Sequence, residues 1–170
     1  MTQWTSVQHV VITGGEPMIQ KDLPELVAAL ADRGHFLTIE TAGTIYDSQV
    51  KPQFFSISPK MRNSYPSAEF PSELALHSGN NCQNRLPEFV KSGVDYQFKF
   101  VVEADSDTSE ILELVDHLEI PRHKVNLMPQ AKTAAELAER GRLVASICRR
   151  EGLTFTGRLH IELWGNERAT

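Results

Sequence analysis

With 170 residues, 41% of them hydrophobic, the chain is long enough to bury a substantial core, and a single domain over residues 1–170 is the expectation. A formal net charge of −5 without any Lys/Arg run argues against a nucleic-acid footprint or a membrane-surface patch. No apolar run approaches the ~20 residues of a spanning helix, and the first residues lack a signal-peptide pattern, so the cytoplasm is the expected compartment.

The first predicted element is a strand at Val10-Val11-Ile12, whose three β-branched residues in a row read as fully buried. It runs through Thr13 into Gly14-Gly15-Glu16-Pro17. Two glycines put bare backbone at the strand's carboxyl end, where ligands of α/β sheets sit. Glu16 adds an acceptor suited to an ammonium group. The plain alternative is a tight β-to-α turn with Glu16 in the first helical turn, favoured by the helix dipole, and both readings stand at this point.

Leu23, Leu26, Val27 and Leu30 recur at helical spacing, with Gly34 placed to end that helix. Phe36 to Glu40 is the second strand, followed by Thr41-Ala42-Gly43-Thr44. Phe54 to Ile57 is a short third strand running into Ser58-Pro59-Lys60. From Met61 to Asn84 the composition turns to Ser, Asn and Pro, a long surface loop. A short helix from Leu86 to Lys91 ends at Gly93, and Phe98 to Val102 is the fourth strand. Asp107 with Glu110 makes a capping-box-like start for a helix carrying Ile111, Leu112, Val115 and Leu118. Lys124 to Leu127 is the fifth strand, closing on Met128-Pro129-Gln130. Thr133 and Glu136 form a second box, opening the longest helix, which ends near Gly152. Leu159 to Leu163 alternates like a last strand, with Trp164-Gly165-Asn166 after it. Strands alternating with helices imply right-handed βαβ units and a mainly parallel sheet. Six strands are too few for a closed eight-fold barrel, so an open, partial barrel fits better.

Polar or glycine-bearing tripeptides thus follow five strands: Gly14-Gly15-Glu16, Thr41-Ala42-Gly43, Ser58-Pro59-Lys60, Met128-Pro129-Gln130 and Trp164-Gly165-Asn166. In a parallel sheet such ends share one face, where active sites gather. Each alone reads more readily as a plain turn. Together they offer carboxylate, hydroxyl, ammonium and amide groups, suited to a small zwitterion or a heterocycle. The phosphate-cradling G-x-x-x-x-G-K-[ST] and the dinucleotide fingerprint G-x-G-x-x-G do not occur. The two cysteines, Cys82 and Cys148, are far apart and belong to no C-x-x-C pair. Cys148 falls on the apolar side of a helix, and Cys82 lies in a polar loop. The six histidines are scattered, and His160, alternating with Leu159 and Ile161, reads as structural.

These motifs resemble those of the radical S-adenosylmethionine (SAM) enzymes and, within them, the 7-carboxy-7-deazaguanine synthase family of queuosine biosynthesis. His9 to Pro17 is similar to the family's GGEP segment and Glu40 to Thr44 to its E-T-x-G-T stretch. Ser58-Pro59-Lys60 matches its S-P-K, Leu127 to Gln130 its L-M-P-Q, and Arg158 to Arg168 its closing R-L-H-I-x-L-W-G-N-x-R. The resemblance implies a partial, open parallel β/α barrel of about six strands. It implies that Gly14, Gly15 and Glu16 hold the amino group of SAM's methionine moiety. Gly43 and Ser58, Pro59 and Lys60 would contact SAM, with Lys60 near its carboxylate or ribose. Met128, Pro129 and Gln130 would flank the adenosine. Thr41 and the terminal carboxylate of Thr170 would touch the substrate, 6-carboxytetrahydropterin. The implied reaction is a radical ring contraction with loss of ammonia, aided by Mg²⁺ and a 4Fe–4S cluster.

The family's cysteine triad and the Mg²⁺-binding Thr lie upstream of GGEP, whereas none of the thirteen residues before Gly14 is Cys. Ala169 also stands where the family usually has Gly. The chain therefore reads as the C-terminal three-quarters or so of such a synthase, by truncation, an internal start or a split gene. It would lack the first β/α unit, leave an edge exposed beside the Val10 strand, and have no catalytic residue of its own to name. The partners this implies are the small-molecule pterin and either a second copy or a complementing N-terminal segment. The alternatives are a non-catalytic SAM- or pterin-binding remnant, or another radical SAM protein such as an activating enzyme.

Overall fold

Short β-rich runs separated by amphipathic segments leave each strand to be followed by a helix that covers it, and the chain adopts that arrangement. The computed structural model describes residues 7–62 and 84–166. Among them are strands β1 (His9–Ile12), β2 (Phe36–Thr41), β3 (Phe54–Ile57), β4 (Asp95–Val102), β5 (Val125–Pro129) and β6 (Thr154–Phe155). The α-helices are α1 (Leu23–Ala31), α2 (Leu86–Val90), α3 (Asp107–His117), α4 (Ala134–Glu151) and α5 (Leu159–Trp164). The strands follow one another in a single open sheet in the order β1-β2-β3-β4-β5-β6, and the pairs β1–β2, β2–β3, β4–β5 and β5–β6 are parallel. The expected α/β class with an open parallel sheet is what the chain forms. The described residues fall into two compact units, residues 7–59 with 84–97 and residues 60–62 with 98–166.

In the first unit, β2 and β3 bring Leu37, Ile39, Phe55 and Ile57 to full burial, and α1 covers them with Leu23, Val27 and Leu30. Phe89 of α2 meets the Phe55 ring edge-on at 5.1 Å and that of Tyr46 at 4.9 Å, geometries that suit the aromatic quadrupole. Strand β1 departs from expectation. Its residues are only half covered, and Val11 is 50% exposed. It lies at the end of the strand order, so among the described residues only its β2 side is paired. A run of β-branched residues signals a strand that could be buried on both faces, but a neighbour must be present to bury it. Leu26, read as part of the apolar stripe of α1, is likewise 42% exposed.

In the second unit, alternate residues of β4 and β5 (Phe98, Phe100, Val102, Val125, Leu127) point into the core, where α3 and α4 contribute Ile111, Val144 and Ile147. Cys148 joins them at 4% exposure, and burial raises its thiol pKa. The Thr133 hydroxyl accepts from Glu136 N–H at 3.2 Å and Glu136 from Lys132 N–H at 2.7 Å, so α4 opens on the expected box and ends on Gly152 in the left-handed region. Helix α3 differs. Its cap position is Ser106, and the Asp107 carboxylate reaches back to the amides of Glu103 and Ala104. Glu110 bonds the Arg62 amide instead. The last element is a helix, where a strand is expected, and the sixth strand is the two-residue β6. Leu159-His160-Ile161-Glu162-Leu163 fits a period of 2 and a period of 3.6 about equally over five residues, and in α5 only Ile161 is buried, packed with Ala131 and Leu137. Trp164-Gly165-Asn166 therefore follows a helix.

Candidate functional site

The tightest polar arrangement of the first unit lies where β1 and β2 end. After Ile12 the chain turns through Gly14, whose φ of +144° favours glycine, and Gly15. Glu16 then caps a short 3-10 turn, Pro17–Ile19, by accepting from Met18 N–H at 3.1 Å. This is close to the tight-turn alternative. The same carboxylate also reaches the neighbouring strand end. It accepts from the Thr41 hydroxyl at 2.8 Å through Oε1 and from Ala42 N–H at 2.8 Å through Oε2. The Thr41 hydroxyl in turn accepts from Gly43 N–H at 3.0 Å. Glu16 is 9% exposed and Thr41 4%, so this buried carboxyl group has three hydrogen-bond donors to satisfy it. Sequence reading assigned both residues to ligands and did not find this link, because its partners lie 25 and 26 positions apart.

The glycines at these ends serve different needs. Gly43 has φ +75°, and a Cβ there would stand 2.5 Å from Leu86 Cδ2 and 2.9 Å from Ile57 Cγ2. Its lack of a side chain is thus required by packing within the unit. At Gly15 a Cβ would meet nothing within 4 Å, and its φ lies outside the left-handed range. The fold does not demand glycine at that position, and open space beside the turn is what an approaching ligand needs. A hollow of about 530 Å³ adjoins it, lined by Thr13, Gly14, Gly15, Glu16, Ile19 and Leu23 among others. A second, larger groove of about 840 Å³ runs beside β1, with Val7, Val11, Leu26, Arg33 and His35 in its walls.

Of the remaining candidates in this unit, Ser58 N–H donates to the Thr41 carbonyl at 2.8 Å, which ties the S-P-K segment to the end of β2, and Pro59 is buried. Tyr46, beside the Thr41–Thr44 turn, has its phenol pKa raised by burial and by the nearby Glu88 and Asp47 carboxylates.

In the second unit, Lys60 is exposed. Met128 and Pro129 complete β5, and Gln130 leaves it with its N–H donating to the Val102 carbonyl at 2.8 Å. Arg140 of α4 donates to the Gln130 carbonyl at 2.7 Å and also to its side-chain oxygen, while facing Glu103 at 3.7 Å. Arg158 donates to the Ala131 carbonyl at 3.0 Å. Gln130 is thus held by its own unit. Arg140 is a residue that sequence reading missed, since nothing in the helix pattern marks it. Thr170, Ala169, Cys82 and most of the predicted loop lie outside the described residues.

The residues present do not fit an iron–sulfur cluster. Such a cluster takes three or four thiolates, and the sequence has two cysteines, one of them buried in α4. Among the described residues no group of three His, Cys, Asp or Glu could hold a metal ion, and no helix is long and apolar enough to cross a membrane. The residues fit the amino-acid end of SAM better, through the open Gly15 turn and the carboxylate behind it.

No protein-family model matches the sequence. The chain is 36% identical over 168 residues to the 7-carboxy-7-deazaguanine synthase of Rhodopirellula baltica, a match covering 98% of this chain and 65% of that protein. To the synthases of Halobacterium salinarum and Pyrobaculum aerophilum it is 35% identical, with 95% of this chain and 67% and 68% of theirs covered. The chain therefore spans about two thirds of the length of these relatives, rather than three-quarters. Among solved structures it is similar to Streptococcus suis SuiB bound to S-adenosylmethionine, with a TM-score of 0.61 at 16% identity over 88% of this chain and 38% of that one. Escherichia coli QueE gives 0.55 at 24% identity, over 89% of this chain and 57% of that one. These likenesses show a shared fold, an open parallel sheet with helices.

Proposed function

This chain belongs to the 7-carboxy-7-deazaguanine synthase family, and from that premise we propose that it carries most of the SAM site and part of the pterin site of such an enzyme. The reaction is ring contraction of 6-carboxy-5,6,7,8-tetrahydropterin to 7-carboxy-7-deazaguanine with loss of ammonia, in 7-deazapurine biosynthesis in the cytoplasm, with residues 1–170 acting as one domain. The observation that carries the reading is the Gly14–Gly15–Glu16 turn. It leaves open space beside Gly15 that the fold does not need, next to a buried carboxylate. The carbonyls of the turn and Glu16 accept the ammonium of SAM's methionine moiety. Gly43 and Ser58 support this turn from the end of β2, and the exposed ammonium of Lys60 meets the SAM carboxylate or ribose. Met128, Pro129 and Gln130 keep the family's adenosine-flanking role, with Arg140 fixing Gln130. Thr170 keeps its proposed contact to the pterin. SAM, once cleaved with one electron from a cluster that the complementing segment would hold, would supply the radical chemistry; the two cysteines of this chain are too few to hold that cluster.

The chain is inactive alone under this reading and requires a complementing segment that brings the three thiolates. Among the described residues β1 pairs only with β2, and the groove beside it, with Val7 37%, Val11 50% and Leu26 42% exposed, suits a parallel strand and helix from that segment. Calorimetry of the chain with SAM, followed by turnover assays with 6-carboxytetrahydropterin after adding an N-terminal segment with reconstituted cluster, tests the proposal. Product formation only in the complemented sample supports it. Failure of the complemented protein to bind SAM or turn over refutes it. Tight SAM binding by the isolated chain, with no turnover after complementation, favours the non-catalytic binder that the lack of three cysteines also suits.

A further inference from the structure

Thr41 is the residue that the family resemblance sends to the pterin, yet its surroundings fit another task. Its hydroxyl hydrogen is committed to Glu16 Oε1 at 2.8 Å and one of its lone pairs to Gly43 N–H at 3.0 Å, with the residue only 4% exposed. A carboxylate offers about four acceptor positions. Glu16 gives two on Oε1, to Thr41 and Met18 N–H, and one on Oε2, to Ala42 N–H. One position on Oε2 is left by this count. Among the described residues, no hydrogen bond is made to the carbonyls of Gly14 or Gly15.

We infer that Thr41 is a positioning residue: with the Ala42 amide it locks the Glu16 carboxylate so that a single Oε2 acceptor position and the turn carbonyls read a ligand ammonium. The inference rests on the SAM reading for the class of ligand, an amino-acid-bearing nucleoside. Its physical content is orientation. A carboxylate held by one bond within its own turn and two to the end of β2 cannot rotate without breaking them, so an incoming ammonium finds its acceptor already aimed. Without the Thr41 hydroxyl, Oε1 loses a donor and the Gly43 amide loses its acceptor, and the turn after β2 is freed.

The test uses the full chain with Thr41→Val, which keeps the shape, and Thr41→Ser, which keeps the hydroxyl. The first arm is amide hydrogen exchange without ligand. Ala42 and Gly43 should exchange roughly tenfold faster in the valine variant, the scale of one lost hydrogen bond to a charged group, and return toward the parent rate in the serine variant. The second arm compares S-adenosylhomocysteine, which carries the amino-acid moiety, with 5′-methylthioadenosine, which lacks it. Thr41→Val should weaken the first roughly tenfold and leave the second unchanged, with serine restoring affinity. Equal losses for both nucleosides, or none for either, overturn the positioning role. If the parent chain binds neither nucleoside, the SAM reading fails and the exchange arm decides alone. Faster exchange rescued by serine then supports the lock, and unchanged exchange refutes it.

Discussion

Replacing Gly43 by alanine tests the claim that this glycine is demanded by packing. The added methyl would sit at 2.5 Å from Leu86 Cδ2 and 2.9 Å from Ile57 Cγ2, on a residue whose φ is +75°. Both neighbouring side chains are fully buried, so neither can swing into solvent. An L-residue in the left-handed region costs ~1–2 kcal/mol, and one methyl forced into a filled core typically costs ~1–3 kcal/mol more. The sum, ~2–5 kcal/mol, is a large share of a typical domain stability of ~5–15 kcal/mol. For a chain of this size it corresponds to a fall in Tm of roughly 5–20 °C. Thermal unfolding followed by circular dichroism measures it. Adding Leu86→Ala should recover part of the steric share, because the cavity it opens accepts the new methyl, whereas the backbone share should persist. A Gly43→Ala protein that melts within ~1 °C of the parent would show that the turn after β2 does not pack as described.

Gly15→Ala makes the complementary case: no atom lies within 4 Å of the new Cβ, so Tm should hold or rise slightly, as compatible Gly→Ala changes do, while calorimetric SAM affinity falls at least tenfold. A large drop in Tm, or unaltered affinity, contradicts the ligand-facing role. Glu136 has its pKa lowered from 4.5, first by the Lys132 amide bond. A carboxyl depressed on folding contributes stability present above its unfolded value and lost as pH falls through the folded one. Glu136→Gln should therefore flatten the decline of Tm below about pH 4.5, and an unchanged acid limb would dismiss the assignment. Val11→Lys, placing a charge on the outer side of β1, should leave Tm within ~2 °C because the site is 50% exposed. The same change should abolish complementation by the N-terminal segment, and full complementation would move the docking site elsewhere.

Much of the site was written in short motifs whose partners are local. Thr133 and Glu136 stand three apart and meet within one helical turn, so the start of α4 can be read directly. The Gly-Gly turn after β1 can be read in the same way. Asp107 and Glu110 show the same spacing but fail, because Asp107 finds the amides of Glu103 and Ala104 and Glu110 finds Arg62, 48 positions away. Gly43 was legible as special but not as to why. A Cβ there would meet Leu86, which comes 43 residues later in the chain.

The amino-acid order by itself determined where β1 to β5 and α1 to α4 form, and which family the motifs belong to. Periodicity and turn chemistry act between residues a few positions apart, and motif letters carry ancestry without needing geometry. Only the folded chain decided that β1 is half exposed, that residues 159–164 wind into a helix, and that Glu16 binds the neighbouring strand end. Each of these depends on which group arrives from elsewhere to bury a face or take a lone pair. A buried carboxylate bonds whichever donors the packing brings to it.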